Sequence, residues 1–241
     1  VIDMSNSDVA KLVGSKVLLV SNGGIGRSID EIMLNKAVFD RVGVELVGVI
    51  VNKVLQSKYD KISTYVRKGL ERHGVNVLGV IPFVDMLMYP TVDSVFKGLK
   101  GSLLTEEKES ELSRSVEKCV IGDMVPHEAL HILEPNSLLI VPANREGLIM
   151  TAICDSILEP KAKSTLSGIV FTGGKPPHER VLSILRQSQV PLFLVKEESF
   201  EVATRINSML VKVSASETAK IKQMQTLIER YVDVDTICDL V

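Results

Sequence analysis

Short, fully apolar runs alternate with helical stripes along the whole chain, and no other feature restricts the possible folds so strongly. Residues 16–20, 44–51 and 76–81 are aliphatic at nearly every position, a pattern of strands buried on both faces. Between them fall stretches of helical period. Ile29, Ile32, Met33, Val38 and Phe39 make one stripe that Gly43 ends, and a second helix is predicted over 58–72, ending near Gly74. Ser28-x-x-Glu31 has the spacing of a capping box and is expected to open the first of these helices. A shorter helix is expected from Val92 to Leu99. Strands separated by helices at this spacing need crossover connections, so the reading is α/β with a parallel sheet.

After a polar stretch at 98–115 the rhythm resumes. Strands are predicted at 116–121, 137–142, 165–171 and 190–195, with helices at 126–133, 146–157, 177–188 and 199–210. The 241 residues, 45% hydrophobic, suffice for two cores of about 100–120 residues each. The expected division is a first domain at 1–101, a linker at 102–115, a second α/β domain at 116–213 and a C-terminal amphipathic helix at 214–241. That helix, opened by Ser214-x-x-Glu217, carries Ile221, Met224, Leu227, Ile228 and Tyr231 on one face, to bury against its own domain or against a partner subunit in a homodimer.

Charge and cysteine content restrict partners and compartment. The 28 Lys and Arg against 30 Asp and Glu are scattered, which gives no electrostatic footprint for nucleic acid or an anionic bilayer. The apolar runs fall far short of the roughly 20 residues of a membrane span. Cys119, Cys154 and Cys238 lack metal or redox spacing and read as buried, reduced thiols, which places the chain in the cytoplasm. No signal peptide is evident. The chain opens Val1-Ile2-Asp3-Met4 in what reads as the approach to a helix, so further residues are expected upstream.

In open parallel sheets, ligands bind beyond the carboxyl ends of the strands. The first domain offers Ser21-Asn22-Gly23-Gly24-Ile25-Gly26-Arg27 after one strand, Asn52-Lys53 after the next and Pro82-Phe83 after the third. Gly23 and Gly24 could bring backbone close to a ligand, or merely make a tight turn. Their spacing fits neither G-x-x-x-x-G-K-[ST] nor G-x-G-x-x-G. The Asn52 amide could pair with a nucleobase edge, or bond the turn that ends its strand.

Gly23 to Glu31, Gly48-Val49-Ile50-Val51-Asn52-Lys53-Val54 and Leu78-Gly79-Val80-Ile81-Pro82 together resemble the later half of a P-loop domain of the dethiobiotin-synthetase-like and cobyrinic-acid-synthase-like kind. The form at the N-terminus of long bacterial phosphotransacetylases is the nearest resemblance. It implies a P-loop-NTPase-like sheet without its first strand and Walker loop. It also implies a nucleotide-binding role for Gly23, Gly24, Asn52, Lys53 and Pro82. ATP and Mg²⁺ would be cofactors only with an upstream loop, because that loop supplies the phosphate grip.

The second domain resembles the DRTGG domain that follows in those proteins, through Asn144-Arg145-Glu146 after one strand and Thr172-Gly173-Gly174-Lys175 after the next. Asn144 stands where the motif has Asp, which removes a carboxylate. The resemblance points to Asn144, Arg145, Thr172, Gly173, Gly174 and Lys175 as a site for a small anion, ahead of a helix begun by Pro176-Pro177. The alternative is that Arg145 pairs internally with Glu146 or a carbonyl and the glycines only turn. His127-Glu128-Ala129-Leu130-His131 is an H-E-x-x-H pattern, which on a helix can hold zinc. Its helix is short, however, and the nearest carboxylates, Glu146 and Asp155, lie at no zincin spacing. The sequence therefore reads as a regulatory, ligand-sensing protein that binds a nucleotide or small anionic metabolite. The alternative is an ATP-dependent synthase whose phosphate loop lies upstream.

Overall fold

The structure, a computed structural model, describes residues 4–106, 108–154 and 166–240. Asp155 and the end of the helix expected at 146–157 lie outside the described residues, as do Val1, Ile2 and Asp3. The chain divides into two compact units, Val1–Asp85 with Thr218–Val241, and Met86–Glu217.

In the first unit, β1 (Val17–Asn22), β2 (Leu46–Val54) and β3 (Val77–Pro82) form a parallel sheet in that order. They are interleaved with α1 (Asn6–Val13), α2 (Gly26–Val42) and α3 (Tyr59–Glu71). Alternate strand residues face opposite ways. Val49, Val51 and Val80 therefore meet Ile32 of α2 and Ile62, Val66 and Leu70 of α3 in one core. Ser5 caps α1 in a reciprocal box with Asp8, but the box expected at Ser28 does not form. Helix α2 begins at Gly26 without a side-chain cap, and Ser28 is buried inside its first turn.

The second unit holds β4 (Ser102–Leu103), β5 (Lys118–Ile121), β6 (Ser137–Pro142), β7 (Leu166–Thr172) and β8 (Leu192–Leu194). Their order is β4-β8-β7-β6-β5, all parallel except β4, which runs antiparallel to β8. Its helices are α4 (Val92–Leu99), α5 (Glu109–Leu112), α6 (Pro126–Ile132), α7 (Glu146–Ala152), α8 (Glu179–Leu185) and α9 (Ser199–Asn207). Consecutive parallel strands joined by right-handed crossovers place their connecting helices on one face. Ala129, Leu148, Ile149, Leu182 and Leu185 accordingly pack on Leu139, Val141, Ile169 and Phe171. The other face carries α4 and α9, whose Val95, Phe96, Leu99, Val202 and Ile206 meet Leu138, Ile140, Val170 and Phe193. Phe96 and Phe193 stack at 4.1 Å between ring centroids.

Two parts of the chain fall elsewhere than the sequence division puts them. Helix α4 packs in the second unit, and the 102–115 stretch contains β4 and α5. The C-terminal stretch forms two helices, α10 (Thr218–Tyr231) and α11 (Val234–Leu240), and returns to the first unit. Its stripe packs on β3, with Leu227 and Val232 buried. Val232 bridges to Gly79, and the Asp233 N–H donates to the Leu78 carbonyl at 2.8 Å. Glycine is required at 79, because a Cβ there would lie 2.9 Å from Val232 Cγ2 and 3.0 Å from the Tyr231 carbonyl. The cysteines are less buried than expected. Cys119 and Cys154 are half-buried and Cys238 is exposed. Among the described residues no helix is long and apolar enough to cross a membrane.

Candidate functional site

The first unit gathers its strand ends by register. Asn22 pairs with Asn52 and Val54 with Pro82, so all three candidate segments share one edge of the sheet. The close packing there explains one glycine. A Cβ on Gly23 would lie 2.8 Å from Val54 Cα and 3.0 Å from Val54 N. Gly24 faces Ser28, whose Oγ would lie 2.6 Å from a Cβ. Pro82 is buried, and the next N–H, of Phe83, donates to the Val54 carbonyl at 2.7 Å. Asn52 Oδ1 accepts from the Lys53 N–H at 2.8 Å, the local turn bond that its residue type permits. Exposed Lys53 takes a left-handed conformation, φ 59°, which costs a residue with a Cβ about 1 kcal/mol or more.

The second unit splits the DRTGG-like residues. Arg145 caps α7, and its Nη2 donates to the carbonyls of Asp123 at 3.2 Å and Met124 at 2.7 Å. It fastens the loop after β5, whereas neighbouring Asn144 is exposed. Thr172 is buried and shares a 2.9 Å hydroxyl hydrogen bond with Ser199. Gly173 and Gly174 both have positive φ, 77° and 71°, a conformation that glycine adopts freely. Their amides donate to the carbonyls of Glu197 at 3.0 Å and Val195 at 2.8 Å. The turn thus locks onto the loop after β8, and these two N–H groups are already engaged. The next helix does not begin at Pro176-Pro177. It begins at Glu179, behind His178, whose Nδ1 accepts from the Arg180 N–H at 3.2 Å.

One cavity lies against this turn. It has a volume of about 690 Å³ and is lined by Gly98 to Ser102, by Gly174, by Leu194 to Glu197 and by Arg205. That places it beyond the carboxyl end of β8, next to Gly174. Lys100, Lys196 and Arg205 surround it, against a single carboxylate, Glu197. Arg205 Nη1 meets Glu197 Oε1 at 2.7 Å. The Glu197 carboxyl is held below its usual range, first by its own backbone N–H and then by the Arg205 side chain. A Cβ on Gly101 would run into the Leu194 backbone carbonyl, which holds that position to glycine, whereas one on Gly98 would meet only the end of the flexible Met209 side chain. Lys100 is left-handed at φ 55° where it ends α4. A second cavity in this unit, about 640 Å³, is lined by hydroxyl and acidic groups including Asp93, Glu109 and Glu217, and is unsuited to an anion.

Strand-end reasoning reaches Gly174 but misses Lys100, Lys196, Glu197 and Arg205. The same rule, applied to the run after 190–195, would have found Lys196 and Glu197. Lys100 lay at the end of the expected first domain, in the polar stretch 98–115 rather than after a strand, and Arg205 is brought in only by the pitch of α9. His127, Glu128 and His131 are exposed on α6. Among the described residues no group of three or more His, Cys, Asp or Glu side chains is placed to hold a metal ion.

Fold and edges together define a two-unit α/β protein built on open sheets. Residues 1–91 match the AAA domain family and residues 94–209 the DRTGG domain family. The chain matches the N-terminal region of phosphate acetyltransferases. It is 26% identical over 239 residues to the phosphate acetyltransferase of Synechocystis sp., covering 95% of this chain and 33% of the relative. With the enzyme of Pseudomonas aeruginosa it shares 22% identity over 247 residues, 95% of this chain and 34% of the relative. It thus spans about a third of the length of these curated relatives. Among solved structures, the CBS and DRTGG domains of the regulatory region of Clostridium perfringens pyrophosphatase, complexed with the activator diadenosine tetraphosphate, align at 13% identity. The TM-score is 0.42, over 88% of this chain and 86% of that one.

Proposed function

We propose that this chain is a regulatory, ligand-sensing region of a phosphate-acetyltransferase-like protein, and that it binds a nucleotide or small anionic metabolite. The observation that carries the proposal is the cavity beside Gly174 in the DRTGG unit, whose size suits a small ligand. It lies beyond the carboxyl end of a parallel strand, where open sheets bind their ligands. The match to phosphate acetyltransferases across 95% of this chain but only about a third of each relative supports reading it as one region of a protein of that kind.

A thermal-shift panel of nucleotides, phosphates and small carboxylates on the whole chain tests this. A ligand that binds only the folded state, at about 100 times its Kd, adds about 2.7 kcal/mol. For a protein of this size that raises Tm by roughly 5–10 °C. Hydrolysis of ATP by the purified chain, or turnover of acetyl phosphate with coenzyme A, would overturn the regulatory assignment.

The match of residues 1–91 to the AAA domain favours a second reading, an ATP-dependent synthase of the dethiobiotin or cobyrinic acid type. Asn52, its Oδ1 already engaged, would offer its Nδ2 hydrogens to the base. An upstream sequence that carries G-x-x-x-x-G-K-[ST] after a first strand, together with ATP-dependent ligation by the extended protein, would select this reading over the first.

A further inference from the structure

We propose that the cavity at the carboxyl end of β8 is a binding site for a doubly charged anionic group, a phosphate or paired carboxylates, gripped by Lys100 and Lys196. The inference deepens the ligand-sensing function proposed above and rests on it.

Three observations converge. Lys100, Lys196 and Arg205 line the cavity with only Glu197 opposing them, so the wall carries an excess of two positive charges. Among the described residues Arg205 is the cation that Glu197 neutralises, at 2.7 Å, and neither Lys100 nor Lys196 has a carboxylate within 4 Å. Like charges around a concave wall repel, and the concavity focuses their field inward, where an anion is attracted. An exposed lysine on a convex surface has no comparable focus.

The backbone supports the same assignment. Lys100 holds a left-handed conformation at the end of α4, where glycine would be free of strain. The strain that a Cβ carries in that conformation is held by the surrounding structure. Gly101, directly after Lys100, allows that fixing, because only glycine admits the Leu194 carbonyl so close. Lys196 is positioned from the other side. The Gly174 N–H bonds the Val195 carbonyl at 2.8 Å, the Gly173 N–H bonds the Glu197 carbonyl at 3.0 Å, and Lys196 lies between these anchors. The two glycines of the DRTGG-like turn thus hold a lysine in place, and the amides that could have met the ligand themselves are spent in doing so.

The test is titration calorimetry on the whole chain at low salt. Pyrophosphate is the phosphate probe and malonate the dicarboxylate probe. Lys100→Gln and Lys196→Gln remove one charge each, and Lys61→Gln and Lys212→Gln, at exposed lysines outside the cavity, serve as controls. Melting curves confirm that each variant is folded, and Lys196→Arg restores charge should the glutamine variant melt early. We expect binding of at least one probe, weakened about tenfold by either cavity variant, retained by Lys196→Arg and unchanged in both controls. Binding of pyrophosphate alone makes the group a phosphate, and binding of malonate alone a dicarboxylate. Binding that survives both cavity substitutions overturns this site but leaves the ligand-sensing function intact. No binding of either probe to the unmodified chain also overturns the site, and a thermal-shift panel equally without response would bring down that function as well.

Discussion

Gly79→Ala provides a test by sign of whether the chain's end returns to the first unit. On an unobstructed strand, alanine in place of glycine stabilises by about 0.5–1 kcal/mol, because the unfolded chain has less freedom to lose. Here the new Cβ would lie 2.9 Å from Val232 Cγ2, 3.0 Å from the Tyr231 carbonyl and 3.3 Å from Val232 Cα. Two of those three atoms are backbone and cannot rotate away. Overpacking of this kind costs about 1–3 kcal/mol. Displacing the segment also lengthens the Asp233 to Leu78 hydrogen bond, 2.8 Å, worth about 0.5–1.5 kcal/mol. The net expectation is a loss of about 2 kcal/mol. The chain has no tryptophan and four tyrosines, of which Tyr59, Tyr65 and Tyr231 belong to the first unit. Urea unfolding followed by tyrosine signals in near-ultraviolet circular dichroism therefore reports chiefly on the affected unit. Adding Val232→Ala removes the mobile part of the clash, so the double variant should lose at least about 0.5 kcal/mol less than the sum of the singles. A Gly79→Ala protein as stable as the parent or more so, with additive singles, would refute the packing of residues 231–233 on β3.

Two further outcomes follow from side chains already described. Burial pushes the Cys119 thiol from 9.0 up to about 11, so below pH 9 it holds about a hundredfold less thiolate in the folded than in the unfolded chain. Iodoacetamide should spare it natively, and its contribution to stability, complete below pH 9, should fade as pH rises toward 11; labelling as fast as in urea would contradict this. Arg145→Ala should cost about 1–2 kcal/mol in urea melts, through loss of its bonds to the Asp123 and Met124 carbonyls. Pyrophosphate affinity should stay unchanged, and a tenfold weaker affinity without loss of stability would place Arg145 at the ligand instead.

The apolar runs made the fold legible where local pattern and packing agree. Leu138 to Val141 is apolar at every position because α4 and α9 cover Leu138 and Ile140 while α7 and its neighbours cover Leu139 and Val141. Tertiary partners decided what sequence could not. The stripe of α10 is visible in the sequence, but nothing local says that its partner is β3, more than a hundred residues earlier. The two-residue strand β4 has too short a pattern to detect and exists because it pairs with β8. At the candidate site, Gly174 of the Thr172-Gly173-Gly174 motif borders the cavity, but the amides of both glycines are already bonded. Whether an amide is free or already bonded depends on the Val195 and Glu197 carbonyls, which a motif does not contain.

The return of the chain's end also sets an order in time. Residues Met86–Glu217, 132 in all, intervene before the first unit can be finished. Closing so long a stretch while it is unstructured costs about 4 kcal/mol of chain entropy, a cost that falls sharply once the intervening residues are themselves compact. During synthesis, β3 is complete at Pro82, yet Val232 emerges 150 residues later, a delay of about 8–30 s at common elongation rates. For that interval one face of the nascent sheet lies bare, and the DRTGG unit matures before the unit that precedes it in the chain.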